Sequence, residues 1–274
     1  MSSLSEVLEP FSAVVLTGGS SGIGKSFIKL GQRLKPRLVF CNLSRREPDE
    51  KISESRELIL NHFSCDLSQA EDVGETLSRV IRFLDREVPG GRILLINNSG
   101  FGAFGPFPEP NLTRHLEMID VNIRALVQVT GLMLPLLKAR GGAIMNIAST
   151  VAFQPTPFGA TYGATKAFVL HWTLALNEEL RGSNVRALAV CPGTTKTDFF
   201  RTAGVGAGAM TQSVAMTTDE VVMSAFRALG AGRAQVVPGF INKLYTFAGS
   251  KLPKPLAARV AAGIMQRLRR SVAP

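Results

Sequence analysis

The chain has 274 residues, of which 45% are hydrophobic and 19% charged, and this balance excludes an intrinsically disordered protein. Its 26 glycines and 15 prolines follow no triplet period, which excludes a collagen. Its net charge is +10, and the excess of bases is concentrated near the C-terminus.

The cysteines and the N-terminus indicate the compartment. Cys41, Cys65 and Cys191 lie far apart at the ends of apolar runs, which favours buried thiols over a disulfide framework or a zinc cluster. No apolar run reaches the roughly 18 residues of a membrane span. The polar N-terminus, with Glu6 and Glu9, is unlike a signal peptide. We therefore expect a cytoplasmic protein.

Short apolar runs alternate with stretches of helical periodicity. Such strands, without polar alternation, are typical of a sheet buried on both faces, and their alternation with helices predicts parallel βαβ units. We predict one α/β domain with a doubly wound parallel sheet over residues 1–238, and a separate extension over 239–274. The elements in chain order are strand 12–17, helix 22–34, strand 37–41, strand 62–65, helix 69–86, strand 93–97, helix 112–140 with a weak kink at Pro135, strand 142–148, helix 161–181, strand 185–190, helix 217–229 and strand 235–237.

A glycine-rich loop, Thr17-Gly-Gly-Ser-Ser-Gly-Ile-Gly24, joins the first strand to the first helix. Glycines let the backbone approach a pyrophosphate, and the start of a helix offers free N–H groups and partial positive charge. A tight structural turn is the alternative, but this position between strand and helix favours a dinucleotide site. The predicted cofactor contacts in the loop are Gly18, Ser20, Ser21, Gly22, Ile23 and Gly24.

The loop's form, T-G-x-x-x-G-x-G, resembles that of the short-chain dehydrogenase/reductase family, and the resemblance runs from about Ser12 to about Val237. It implies a Rossmann-type fold. Four further motifs of the family follow at its spacing: Asn97-Asn98-Ser99-Gly100, with Ser99 where the family usually has Ala; Asn122; Ser149 with Tyr162-x-x-x-Lys166; and Pro192-Gly193 with Thr197.

The resemblance implies a catalytic set of four residues. Tyr162 would donate a proton to a carbonyl oxygen as hydride arrives, and Ser149 would hydrogen-bond that oxygen. Lys166, four residues from Tyr162 on one helix face, would hold the nicotinamide ribose, and we expect its ammonium to lower the pKa of the phenol. Asn122 would hold a water that relays protons through Lys166. The alternative for Tyr162 and Lys166 is a packed ring and a solvated charge.

The end of the second strand bears on cofactor choice. The segment Phe40–Arg46 lacks the acid that grips the ribose 2′-hydroxyl of NAD in NAD-selective relatives. Arg45 as first choice, or Arg46 as second, could instead hold the 2′-phosphate of NADP. The alternative is an ordinary charged loop. We therefore expect NADP(H). The resemblance assigns the remaining cofactor contacts to Asp66, Leu67, Asn98, Gly100, Tyr162, Lys166, Pro192, Gly193 and Thr197.

The histidines His62, His115 and His171 share no ligand spacing, so no metal is implied. Seven phenylalanines in or beside loops of the expected site suggest an apolar pocket, although they could equally anchor the loops. They are Phe101, Phe104, Phe107, Phe153, Phe158, Phe199 and Phe200.

The C-terminal segment carries nine bases and no acid after Glu220: Arg227, Arg233, Lys243, Lys251, Lys254, Arg259, Arg267, Arg269 and Arg270. Within residues 240–270 we predict a basic amphipathic helix. It could pack on the parent domain or a second subunit, dock on an anionic membrane surface, or attract an acidic carrier or coenzyme A thioester. Nucleic acid is not expected, because no binding module accompanies the charge. The apolar stripe is Leu252, Leu256, Val260, Ile264 and Leu268.

The resulting hypothesis is an NADP(H)-dependent carbonyl reductase or alcohol dehydrogenase for an apolar ketone or acyl-thioester. A small sugar or polyol is the second choice of substrate. The rival from another class is a catalytically idle NADP-binding sensor or scaffold, which would not need the intact catalytic set. The family's habit of pairing through two long helices implies a homodimer or homotetramer.

Overall fold

The computed structural model describes residues 3–49, 59–203 and 215–270. Seven strands form among these residues. The strands are β1 Phe11–Thr17, β2 Val39–Ser44, β3 Ile59–Ser64, β4 Arg92–Asn97, β5 Gly142–Ile147, β6 Val185–Val190 and β7 Gln235–Val236. Strands β1, β2, β4, β5 and β6 are buried along most of their length, whereas Phe63 is the one buried residue of the edge strand β3.

The strands form one parallel sheet in the order β3-β2-β1-β4-β5-β6-β7. The chain reverses its direction of winding between β1 and β4, and ligands of such sheets bind outside the carboxyl ends of the strands at this switch point. This is the predicted Rossmann-type doubly wound fold, and it places the glycine-rich loop after β1 directly at the crevice.

Within the described residues the chain forms ten α-helices. They pack on both faces of the sheet. One face carries α3, α5 and α6, and the other carries α1, α2 and α8. Their bounds are α1 Leu4–Leu8, α2 Gly22–Leu34, α3 Ala70–Glu87, α4 Leu112–Ile119, α5 Ala125–Arg140, α6 Ala160–Glu179, α7 Phe199–Thr202, α8 Thr218–Gly230, α9 Phe240–Lys251 and α10 Lys254–Arg270.

Helix α3 shows why the layers hold. The side chains of Val73, Leu77, Val80 and Leu84 recur at helical spacing and are fully buried against the sheet. Burying each such side chain stabilises the fold by about 1.5–3 kcal/mol. This apolar side of the helix predicted over 69–86 therefore forms part of the core.

The long helix predicted over 112–140 is interrupted at a different place from the one expected. A π turn, Asp120–Arg124, separates α4 from α5, whereas Pro135 lies inside α5. The π turn carries Asn122, which is buried and bonded to neighbouring segments. By length and mean hydropathy alone the 112–140 stretch could span a membrane, but the inner side of α5 packs into the core.

The C-terminal segment is not one helix. It is broken at Leu252 and Pro253 into α9 and α10, because proline cannot continue the hydrogen bonding of a helix interior. The parent domain covers the predicted stripe only in part where the stripe is described: Leu252, Leu256 and Val260 are 37%, 46% and 49% exposed, whereas Ala257 is buried. The side chains of Ile264 and Leu268 lie outside the described residues.

Candidate active site

The glycine-rich loop passes close to neighbouring backbone at the carboxyl end of β1. Gly18 and Gly22 have φ values of +74° and +54°, which favour glycine. A Cβ on Gly24 would overlap the carbonyl oxygen of Gly18, so the first turn of α2 can approach the loop only without a side chain. The loop therefore leaves backbone N–H groups at the start of α2 open to the cleft, as binding of a pyrophosphate requires.

Thr17 and Asn98 join this loop to the turn after β4. The Thr17 hydroxyl accepts hydrogen bonds from the backbone N–H groups of Asn98 and Ser99, both at 3.0 Å. The Asn98 amide donates in turn to the carbonyl oxygens of Thr17 and Gly18, at 3.0 and 3.1 Å. Asn98 thus fixes the glycine-rich loop from the side.

Asn42 supports the same loop and was missed by the sequence reasoning. Its side-chain oxygen accepts the Gly19 N–H at 2.7 Å, and its amide donates to Ser44 at 2.9 Å and lies 3.1 Å from His62 Nδ1. Asn42 is fully buried in β2. A polar residue in the middle of an apolar strand was the signal that could have identified it, because a buried amide needs hydrogen-bond partners.

The residues predicted to meet the adenosine end of a cofactor gather at the ends of β2 and β3. Arg45 and Arg46 are exposed and line the cleft. Burial would raise the pKa of Asp66, but hydrogen bonds from Ser68 and the charge of Arg45 lower it, so Asp66 is ionised. Leu67 is buried, with its carbonyl oxygen 3.0 Å from Arg124 Nη2.

Ser149, Tyr162 and Lys166 come together at the carboxyl end of β5 and on α6. All three are buried and line the same cleft. Lys166 Nζ donates to the Ile147 carbonyl oxygen at 2.8 Å and lies 5.9 Å from the centroid of the Tyr162 ring. Ser149 Oγ accepts the Val151 N–H at 3.3 Å and starts a single 3-10 turn, Thr150–Phe153.

Burial sets the ionisation of this group. It raises the pKa of the Tyr162 phenol to about 12, against an opposing hydrogen bond with Ser149. It lowers the pKa of the Lys166 ammonium to about 8, with Cys191 opposing. The expected lowering of the phenol's pKa by Lys166 is thus wrong for the protein alone, because burial of the ring outweighs an ammonium nearly 6 Å from its centroid. At neutral pH Tyr162 holds a proton that it can donate.

Asn122 uses its side chain to join three segments. Its amide donates to the Phe101 carbonyl and to Thr165 Oγ1, both at 3.0 Å, and its Oδ1 accepts the Phe101 N–H at 3.1 Å. Both amide hydrogens are therefore engaged. A relay water would therefore have to hydrogen-bond to atoms of Asn122 other than these two amide hydrogens. The predicted role of Asn122 in proton relay stays a prediction.

The C-terminal helix α9 forms part of the site, which the motif reasoning did not foresee. A Cβ on Gly193 would overlap the side-chain amide of Asn242, so α9 packs directly on the Pro192-Gly193 turn. Gln154, just beyond the 3-10 turn, donates through its amide to the Tyr245 hydroxyl. Helix α9 thereby contacts the segments that follow both β5 and β6.

One continuous cleft of about 1460 Å³ joins these groups, and its lining includes Gly18 of the glycine-rich loop and Met265 of α10. The rings of Phe104 and Phe199 lie 5.6 and 5.3 Å from that of Tyr162. Of the seven phenylalanines predicted for the pocket, Phe101, Phe104, Phe158 and Phe199 line the cleft. Phe107 is exposed beside His115, Phe153 packs in the core, and the side chain of Phe200 lies outside the described residues.

The family model for short chain dehydrogenases matches residues 12–206. This chain belongs to the short-chain dehydrogenase family. A serine 3-dehydrogenase of Rhizobium radiobacter is 30% identical over 201 residues, covering 70% of this chain and 76% of that protein. A solved short-chain dehydrogenase from Sphingobium yanoikuyae in complex with NADPH is 26% identical with a TM-score of 0.74, over 96% and 97% of the two chains. A 7β-hydroxysteroid dehydrogenase, 23% identical, shares the fold with a TM-score of 0.78, over 93% and 99%.

As a short-chain dehydrogenase, the protein is an oxidoreductase of CH–OH and C=O groups that uses a nicotinamide cofactor. The observed residues fit such a dinucleotide: the overlap at Gly24 requires a side-chain-free cradle, and the cleft runs unbroken from this cradle to Tyr162. The predicted contact residues of both ends of the cofactor line this cleft, with the exception of Gly24. They are Gly18, Ser20, Ser21, Gly22, Ile23, Arg45, Arg46, Asp66, Leu67, Asn98, Gly100, Tyr162, Lys166, Pro192, Gly193 and Thr197.

Proposed function

We propose that this short-chain dehydrogenase is an NADP(H)-dependent carbonyl reductase whose substrate is an apolar ketone. The observation that carries the proposal is the Tyr162 phenol, which lines the cleft together with Ser149 and is flanked by the rings of Phe104 and Phe199. A bound nicotinamide cofactor supplies the hydride. The chain's own residues supply the proton, the orientation and the apolar surroundings.

The proton comes from Tyr162. Its phenol stays protonated at neutral pH because burial raises its pKa to about 12. A carbonyl that gains hydride develops negative charge on oxygen, and a positioned donor transfers its proton to that oxygen. Ser149, which lines the same cleft, would donate a hydrogen bond to this oxygen and stabilise its charge.

Lys166 would restore that proton and hold the ribose. Its ammonium is buried beside the Ile147 carbonyl, and a pKa of about 8 makes it able to exchange a proton near neutral pH. Gly100 keeps the space above it open, because a Cβ there would lie 3.2 Å from Lys166 Nζ and 3.0 Å from Asn122 Oδ1. A proton path from Asn122 through Lys166 to Tyr162 is part of the proposal.

The preference for NADP(H) rests on the end of β2. Arg45 and Arg46 stand exposed on the cleft, where a guanidinium could bind a phosphate in bidentate fashion. The buried side chain near this end of β2 is Asn42. It is neutral, and its oxygen accepts a hydrogen bond from Gly19 of the glycine-rich loop. No acid of the described part of β2 competes with a 2′-phosphate.

Homodimer or homotetramer formation through α5 and α6 is also proposed. Val127, Leu132 and Phe168 are exposed apolar residues on these helices, and Phe168 stacks on Trp172. Apolar surface of this kind is typical of subunit contacts. The division into a domain at 1–238 and an extension at 239–274, and a cytoplasmic location, stay predictions.

The test is NADPH oxidation with a panel of apolar ketones, an acyl-thioester and a small sugar, using wild type and Tyr162→Phe. We expect turnover of apolar ketones, and a loss of roughly a hundredfold or more in Tyr162→Phe with NADPH binding retained, because the variant keeps the ring but not the proton. Turnover confined to the sugar would contradict the substrate class. Near-normal turnover in the variant would contradict the mechanism, and no turnover at all with tight NADPH binding would favour the sensor.

A further inference from the structure

Helix α9 directs its large apolar side chains away from its own domain and toward the surroundings, which is unusual for a helix that packs only on that domain. Its small and polar residues face the protein at helical spacing: Asn242, Thr246 and Gly249. Its large apolar residues face away, with exposed fractions of 81%, 62% and 62%: Phe240, Leu244 and Phe247. A surface helix normally shows the reverse arrangement.

Helix α10 repeats this pattern. Ala257 is its buried residue, and Ala261 lines the cleft, whereas Leu256 and Val260 are about half exposed. We define the outer face as Phe240, Leu244, Phe247, Leu256 and Val260. An exposed apolar surface spread over two consecutive helices indicates an interaction site.

The bases around the outer face indicate the charge of the partner. Lys243, Lys251, Lys254 and Arg259 are exposed on the same two helices, and Lys251 Nζ lies 5.7 Å from the centroid of the Phe247 ring. The sequence contains no acid after Glu220. The positive field of this segment is therefore not neutralised from within it, and an anionic surface is the complementary partner.

We propose that the outer face binds the surface of an anionic lipid bilayer. Aromatic and aliphatic side chains enter the interfacial region of a bilayer, while lysines and arginines on the same helices contact anionic headgroups. Side chains exposed over more than half of their surface, such as Phe240 and Phe247, need no matching pocket in a fluid interface.

A second copy of the chain is a poorer occupant. A twofold symmetric contact places the same patch of both copies face to face, so the basic residues of one copy, such as Lys243 and Lys251, would lie opposite the basic patch of the other. Like charges brought together in this way are destabilising. An acidic protein would satisfy the charge, but it would also need pockets for the protruding rings.

The outer face adjoins the entrance of the cleft. Ile241 and Tyr245, on the flank of α9 between the buried and the outer side, line the cleft and are 63% and 46% exposed. Docking on a bilayer would therefore bring this entrance to the lipid. A substrate dissolved in the bilayer would gain direct access, a consequence that rests on the proposed function.

The test measures sedimentation of the full chain with vesicles of equal parts phosphatidylcholine and phosphatidylglycerol, and with phosphatidylcholine alone, in low and in high salt. We expect binding to the anionic vesicles only, weakened by salt because exposed charges are screened. Phe240→Ser with Phe247→Ser should weaken binding at least tenfold. Lys243→Gln with Lys251→Gln should weaken it by about fivefold for each base removed.

Matched controls replace exposed residues elsewhere: Phe107→Ser for the rings, and Arg86→Gln with Lys138→Gln for the charges. They should leave binding unchanged. The proposal is overturned if wild type ignores anionic vesicles, if the outer-face variants bind as wild type does, or if sedimentation velocity shows that the outer-face variants have a changed oligomeric state. Vesicle binding is read without any substrate, so failure of the proposed reaction leaves this test valid.

Discussion

Lys166 should make the protein less stable in the absence of cofactor, and replacing it by methionine should reveal this cost. The side chain is only 5% exposed, and its Nζ donates to the Ile147 carbonyl oxygen. Burial lowers its pKa from 10.5 to about 8. Methionine keeps an unbranched apolar chain of similar length but carries no charge.

The magnitude follows from the pKa. Each pKa unit corresponds to about 1.36 kcal/mol, so holding the proton on buried Lys166 costs about 3 kcal/mol below pH 8. Losing the hydrogen bond to Ile147 costs the variant about 1 kcal/mol. Lys166→Met should therefore raise the free energy of unfolding by about 2 kcal/mol near pH 7, or Tm by about 4–8 °C. Activity should be lost, since Lys166 serves the site.

The pH dependence identifies the cause. Because the folded-state pKa is lowered, the unfolded chain binds more protons between pH 8 and 10.5, and wild-type stability rises with pH through that window relative to the variant. The gain in Lys166→Met should therefore nearly vanish at about pH 9.5. The assay is thermal and urea unfolding of cofactor-free protein at both pH values, with the exposed Lys138→Met as control. A variant that is less stable than wild type at neutral pH, or a gain equal at both pH values, would refute the reasoning.

Two more substitutions test the cofactor site. Arg45→Asp should weaken NADPH binding selectively and leave NADH binding little changed, because only NADPH carries a 2′-phosphate. The measurement is a titration of both cofactors against wild type, Arg45→Asp and the exposed control Arg86→Asp. An unchanged preference for NADPH in Arg45→Asp would argue against a role for Arg45. Asn42→Ala leaves the buried Gly19 N–H without its 2.7 Å partner, and should cost about 1–3 kcal/mol of stability and weaken dinucleotide binding. Asn61→Ala on β3 is its control, because the Asn61 amide nitrogen has no partner among the described residues, and equal effects of the two changes would contradict the assigned role.

The sheet, and the edge of the sheet where the candidate site lies, could be predicted because both depend on patterns in short stretches of sequence. Apolar runs such as 93–97 and 142–148 are short and free of polar alternation, and glycines such as Gly24 occur where a Cβ would overlap backbone. The proximity of Tyr162 and Lys166, two residues of the predicted catalytic set, could be predicted because they are one helical turn apart, and helical spacing alone puts them on one face.

Features that depend on contacts distant in the sequence could not be predicted. The π turn forms where Asn122 meets Phe101 and Thr165, and none of these partners is local. The pKa of Tyr162 depends on how deeply α6 is covered, which spacing does not report. The contact between Asn242 and Gly193 joins positions that no motif relates.

Helices α9 and α10 add to the cleft a part that is separate in sequence from the matched family region. The matched family region ends at residue 206, yet Ile241, Asn242, Tyr245 and Met265 also line the cleft. The glycine-rich loop and the predicted catalytic residues thus lie within the matched region, whereas part of the cleft wall comes from a later stretch of chain. Selectivity can then diverge by exchange or drift of the last stretch while the chemistry stays constant. Grafting residues 240–270 between relatives is accordingly the direct route to transplanting substrate range.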